Sequence, residues 1–247
     1  MAYLSLKKYI WALLAALSLT SIVSAQQDAK AFLLQAQKAY RESPYLGFQV
    51  KYLYSNAGAK PMDSLSGEIQ IDKDRCRMAL DGTETVVTGR YLIQVMDQEK
   101  SMYLSRSGKA VPMSPVQLMD TVFKQLEGIR TAVTTEGRWK VLTLQFPPGS
   151  MYTQIKMVMD PVTGYFQRIT YDVHTAGLVG QDQVESPGHA GPYSKEGRID
   201  MLFSHYEKGR FGDALFDENN FFTRVSGQFQ PAGRYRDYHI FLASSNL

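Results

Sequence analysis

Four histidines, one cysteine and 24 acidic residues are the groups that could ligate a metal, attack an electrophile or move a proton in this chain of 247 residues. A metal site needs several such donors at converging spacing. His174, His189, His205 and His239 form no H-E-x-x-H or H-x-H pattern, and no acidic cluster has ligand spacing. Residue order leaves a Ser-His-Asp triad open, because triads assemble from any order. No G-x-S-x-G elbow is present, however, and Cys76 has no histidine motif near it. A phosphate-cradling loop and a dinucleotide fingerprint are also missing. Asp72, Asp81, Asp97 and Asp160 stand in turn-forming contexts, where local hydrogen bonding favours them, so no paired carboxylates for hydrolysis emerge. The reading is of a protein that is not an enzyme and that uses no metal and no cofactor.

What remains to carry a function is apolar surface and the elements that hold it. Apolar residues make up 44% and charged residues 21%, which excludes wholesale disorder. A net charge of +3 supplies no field for nucleic acid. Part of that charge belongs to an address. Lys7 and Lys8 precede an Ala- and Leu-rich run that closes on Val23-Ser24-Ala25, a small-residue cleavage pattern. Residues 1–25 are expected to be a signal peptide cleaved after Ala25, leaving 25 basic against 24 acidic side chains. The run is short for a bilayer span. The mature protein is therefore expected in the periplasm, not membrane-spanning. A lone Cys76, alternating with Met78 and Leu80, fits a small buried apolar residue better than a reactive thiol.

The spacing predicts a helix over 28–43, with Ala29, Phe32, Leu33, Ala36, Ala39 and Tyr40 on one stripe and Ser43-Pro44 as the stop. Such a helix is unstable alone and must pack on something. Alternating strands follow. Phe48, Val50, Tyr52 and Tyr54 share one face, as do Ile69 and Ile71, then Cys76, Met78 and Leu80. Strands over 83–88, 91–96 and 101–106 continue at roughly ten residues per strand and turn, the period of an antiparallel meander. Ser114-Pro115 opens a second helical stripe, Val116, Met119, Val122, Phe123 and Leu126, closed by Gly128. Strands are expected again over 139–146, 154–159 and 165–174, the last two joined by the Asp160-Pro161-Val162-Thr163-Gly164 turn. On the last, Tyr165, Gln167, Ile169, Tyr171 and Val173 should share a face. Residues 176–196 lack a period and read as an exposed loop. Strands over 198–206, 220–228 and 235–242 end the chain. No boundary divides residues 26–247, so one domain with extended C-terminal strands is expected. The many strand methionines and aromatics admit two readings, a dense core or a cavity for acyl chains.

The order of elements, with the stretches Gly67-Glu68-Ile69-Gln70-Ile71, Arg75-Cys76-Arg77-Met78 and Glu84 to Leu92 and the hairpin over 155–169, resembles the LolA-like family of periplasmic lipoprotein carriers over residues 28–173. The resemblance implies an α+β fold, a strongly curved antiparallel sheet forming an incomplete β-barrel, covered by the N-terminal helix and the inserted helix. It implies a carrier or sensor that binds lipid or lipoprotein acyl chains in a cavity between sheet and helices. The lining would come from Phe32, Leu33, Ala36 and Tyr40 on the first helix, and from Phe48, Val50, Ile69, Ile71, Met78 and Leu80 on strands. Met119, Val122 and Phe123 on the second helix would form a lid. A rival reading is an envelope protein-interaction module without lipid, working through a sheet edge or the loop over 181–195.

Overall fold

The computed structural model describes residues 25–56, 59–108, 128–185 and 191–244. The expected signal peptide up to residue 24, the helical stripe with Met119, Val122 and Phe123, and His189 lie outside the described residues.

Helix α1 covers residues 25–41, starting before the expected Asp28 and ending two residues before Ser43. Its last amides turn back, Glu42 N–H to Lys38 O at 2.9 Å and Ser43 N–H to Tyr40 O at 3.3 Å, and Pro44 disfavours helical geometry at Ser43. The stripe lies as expected: Ala29, Phe32, Leu33, Ala36 and Tyr40 are buried, while Asp28, Lys30, Lys38 and Arg41 are exposed.

Six strands form the first meander: β1 (Tyr45–Asn56), β2 (Asp63–Asp72), β3 (Arg75–Leu80), β4 (Thr83–Val87), β5 (Tyr91–Met96) and β6 (Ser101–Arg106). A second follows: β7 (Arg130–Glu136), β8 (Trp139–Gln145), β9 (Tyr152–Met159) and β10 (Phe166–His174). Strand β7 is not among the expected strands. Its alternation of Thr131, Val133 and Thr135 before a turn at Gly137 is weak, because its partner face is exposed. Helix α2 (Ala176–Val179) leads to β11 (Glu196–Lys208), then β12 (Phe222–Val225), β13 (Gln228–Pro231) and β14 (His239–Leu242). The expected strand over 220–228 is instead the β12–β13 hairpin, a separate two-stranded sheet.

The other twelve strands form one curved sheet in the order β14-β6-β5-β4-β3-β2-β1-β11-β10-β9-β8-β7. Strands β14 and β7 stay at opposite edges, so the barrel is incomplete. All pairings are antiparallel except β14 on β6, which is parallel. The two meanders are joined through β11, which pairs with β1 on one side and β10 on the other. The chain beyond the stretch that carries the family resemblance thus supplies a central strand.

Two of the sheet's three bulges adjust the faces described here. Between Gly47 and Gln49 of β1, β11 spends one extra residue, and His205 there takes a φ of 52°. Phe203 and Tyr206 consequently both turn inward. On β10 the extra residue is Gln167. Gln167 and Arg168 both line the opposite face, which corrects the expectation that Gln167 shares a face with Ile169. Gly67 permits the closest strand approach, since a Cβ there would meet the Ala79 carbonyl oxygen at 1.9 Å.

Two apolar clusters lie on opposite faces of this sheet. Neighbouring strand residues point to opposite sides, and Val86 belongs to one cluster and Val87 to the other. The first cluster joins α1 to β1–β4 and β8–β11. The second joins Val86, Ile93, Val95, Met102 and Leu104 to Phe216, Phe221, Phe222 and Tyr235 of the C-terminal segment. Residues 176–196, expected as an exposed loop, are partly anchored. Val184 bridges to Tyr193, the Tyr193 ring meets Tyr54 edge-on at 5.5 Å, and Ser194 N–H donates to Asn56 Oδ1 at 3.0 Å.

Candidate functional site

The site proposed from sequence is the first apolar face. The structure brings together Phe32, Leu33, Ala36 and Tyr40 of α1 with Phe48, Val50, Ile69 and Met78 of the sheet, each at most 5% exposed. Ile71 is half-buried beside this cluster. Leu80 is half-buried at the end of β3 and lies outside this cluster. Sequence reasoning missed Leu142, Leu144, Ile155, Met157, Met159, Phe166 and Phe203, which belong to the same cluster. Their alternation along β8, β9 and β11 is the signal that finds them, once the strands are known to share a sheet.

Two sets of polar contacts dock α1. At its C-terminal end the hydroxyls of Tyr40 and Tyr206 lie 2.8 Å apart, and Phe166 N–H donates to Tyr40 Oη at 3.2 Å. Tyr206 donates its hydrogen to Phe166 O at 2.8 Å, so Tyr40 is the donor to Tyr206. Ser43 Oγ and Tyr165 Oη are 2.6 Å apart, and the Tyr165 and Tyr206 rings stack at 4.6 Å. Burial raises the Tyr40 and Tyr206 hydroxyls far above the ordinary tyrosine range, so both are neutral. Further along α1, Gln35 Nε2 donates to Pro161 O at 2.8 Å and Lys140 Nζ donates to Gln35 Oε1 at 3.2 Å. These hold the helix against the β9–β10 turn.

The second face is apolar only over β4–β6, under the C-terminal segment. Ion pairs fasten that segment: Arg75 to Asp213 at 2.8 Å, Arg234 to Glu84 at 2.6 Å, Arg90 to Glu218, and Lys100 to Asp237. Glu84 is the buried anchor. Its carboxylate accepts from Arg77 Nε at 2.6 Å, Arg234 Nη2 at 2.6 Å and Tyr235 Oη at 2.7 Å. Burial opposes its ionisation, but hydrogen bonds from Tyr235 and Arg77 and the charges of Arg77 and Arg234 outweigh it, holding the carboxyl below the usual range.

The rest of the second face is polar and carries two grooves. One of about 790 Å³ runs over β1–β4 to Arg234, and one of about 550 Å³ runs over β8–β11. They meet at Leu202. Every carboxylate lining them is engaged. Glu136 pairs with Lys156 at 2.9 Å, Asp172 with Arg198 at 2.7 Å, and Glu68 with Arg77 at 2.6 Å, beside the Glu84 anchor. Asp200 accepts from Thr170 Oγ1 at 2.6 Å, Asp97 from Tyr238 Oη at 3.0 Å and Asp81 from Ser66 N–H at 3.0 Å.

Among the described residues no group of three or more His, Cys, Asp or Glu is placed to hold a metal. His174 pairs with Glu196 at 2.8 Å, His205 Nδ1 lies 3.0 Å from Ser204 Oγ, and His239 begins the edge strand β14. Cys76 is buried in the first cluster, and burial pushes its thiol up to about 12. Among the described residues no helix is long and apolar enough to cross a membrane.

No family model and no curated protein matches the chain in sequence. Solved structures do match. A conserved protein from Thermus thermophilus is 10% identical, with 76% of this chain and 92% of that one covered and a TM-score of 0.45. A LolA superfamily protein from Nitrosomonas europaea is 9% identical, with 76% and 97% covered and a TM-score of 0.34. The MucA/MucB complex of Pseudomonas aeruginosa is 14% identical, with 83% and 63% covered and a TM-score of 0.38. The family named in the sequence resemblance is thus present among the matches by name.

Proposed function

We propose that the protein is an exported carrier or sensor of the cell envelope that binds lipoprotein acyl chains on the face under α1, without making or breaking a bond. One observation carries this reading. The buried apolar face draws residues from eight strands, β1–β4 and β8–β11. At ~4.8 Å per strand spacing that face is about 34 Å wide. Helix α1, residues 25–41, is about 25 Å long and about 10 Å across. Measured around the curve of the sheet, this face is wider than α1, the helix that packs on it among the described residues. Tyr52, Ile71, Val133, Phe146, Tyr152, Tyr171 and Met201 flank it, only partly buried. Adaptable side chains such as Met78, Met157 and Met159 let such a surface repack around a flexible chain. Met119, Val122 and Phe123 are proposed as the lid over the remainder.

Native mass spectrometry of the exported protein, with lipid extraction and titration by a fluorescent fatty acid, tests the reading. The expected result is an acyl-bearing species released on denaturation and saturable binding of the probe. A protein free of lipid that also leaves the probe unbound would overturn it. Mass analysis of the same sample also checks that the chain starts at Gln26.

A further inference from the structure

The face under α1 carries tyrosine hydroxyls that packing alone leaves unused. Tyr52 on β1, Tyr152 on β9 and Tyr171 on β10 pack against the first cluster but are only partly buried. The Tyr152 and Tyr171 rings lie 5.7 Å apart. Burial first, and then the neighbouring Tyr152 and Tyr52 hydroxyls, hold the Tyr171 hydroxyl well above the ordinary tyrosine range, and burial raises that of Tyr52. Both are therefore neutral donors. None of the three hydroxyls has a hydrogen-bond partner among the described residues, whereas Tyr40, Tyr165 and Tyr206 at the α1 end are all paired. Thr131 on β7 shares a cross-strand row with Tyr171, through Leu144 and Ile155, and its Oγ1 is buried without a partner among the described residues. Unpaired donors in an apolar setting are unfavourable. Tyr171 stands about 15 Å along β10 from Phe166, where α1 docks.

We propose that Tyr52, Tyr152 and Tyr171 hydrogen-bond to the ester carbonyls of acyl chains joined to one glycerol, fixing the head of the lipid at this end of the face with its chains running toward α1. The inference rests on the acyl-chain reading and deepens it, by naming the linkage that the ligand carries. Hydroxyl donors call for acceptor oxygens. An apolar setting calls for those oxygens to be uncharged, because an unpaired charge taken out of water is far costlier than a carbonyl dipole. The charged residues at this level of β1 and β9–β11, Lys51, Lys156, Asp172, Arg198 and Asp200, line the opposite face of the sheet. A free fatty acid would thus bring its carboxylate to three hydroxyls with none of those cations beside it. An ether-linked chain would bring no carbonyl at all and leave the hydroxyls unpaired. Esters on neighbouring glycerol carbons present two carbonyls side by side, within reach of adjacent rings such as Tyr152 and Tyr171.

The test uses the mature chain and titration calorimetry with two lipids of equal chain length, the diester dioctanoylglycerol and its diether counterpart dioctylglycerol. The diester should bind at least about tenfold more tightly, the sum of a few net hydrogen bonds. The triple variant Y52F/Y152F/Y171F should bind the two lipids alike while keeping the circular dichroism spectrum and Tm of the parent. A second measurement needs no variant: with carbon-13 in the ester carbonyls, the infrared band of the bound diester should lie at lower wavenumber than that of the same lipid in hydrocarbon. Equal affinity for diester and diether, an undiminished preference in the triple variant, or an unshifted carbonyl band would overturn the proposal and leave the acyl-chain reading standing. Octanoate binding as tightly as the diester would do the same. Binding of none of these lipids would overturn both.

Discussion

Glu84 shows how much can hang on one side chain. It faces water only slightly, yet it is ionised, because Tyr235, Arg77 and Arg234 converge on it. Glu84→Gln is expected to cost about 2 kcal/mol, less than for a fully buried pair because Arg234 is exposed and Arg77 keeps Glu68. Its folded-state pKa is depressed, so its stabilisation is present above the ordinary carboxylate pKa and is lost as pH falls through the lowered value. Tm measured against pH should therefore show the gap between parent and variant closing in acid. Cys76 works in the opposite direction. Its thiol keeps its proton above the ordinary value of 9.0, so its contribution holds below that pH and drains as pH rises toward about 12. Native protein should resist iodoacetamide at mildly alkaline pH, and denaturant should expose one reactive thiol. The burial of Cys76 was legible from its alternation with Met78. The Glu84 anchor was not, since Arg234 lies 150 residues away.

At the scale of elements, α1 and the C-terminal segment play matching parts on opposite faces. The α1 stripe was fully legible, because a 3.6-residue period is local. Its docking partner was not. Gly164 shows why the two fit. It has a φ of 74°, and a Cβ there would lie 2.6 Å from the Ala39 Cβ on α1. Gly164→Ala should cost about 2 kcal/mol or more, combining left-handed strain with the clash, read as a lowered urea midpoint. The C-terminal segment had shown only an aromatic surplus. Phe216, Phe221, Phe222 and Tyr235 are what cover Val86, Ile93, Val95, Met102 and Leu104. Truncation before Arg210 should bare that patch, raising binding of an apolar dye and self-association on size-exclusion chromatography. A chain that stays monomeric and dye-free after truncation would contradict this account.

For the molecule as a whole, the two apolar clusters share strands, as neighbours Val86 and Val87 illustrate. Thermal unfolding should therefore be one cooperative transition, with circular dichroism and calorimetry coincident; two separated transitions would divide the chain into two units. Local pattern was enough for the class of the fold: one amphipathic helix, strands at regular spacing, and the turn at Asp160–Gly164. These are consequences of local periodicity and turn chemistry, which act over a few residues. Tertiary structure alone decided that β11 joins the two meanders, that β14 closes on β6 in parallel, and that bulges at His205 and Gln167 redirect the residues around them. It also decided that apolar residues switch faces between β3 and β5. Pairing β1 with β11 spans about 150 residues, and no short-range pattern encodes such a choice. It follows from which faces can bury each other once the chain has closed its long loops.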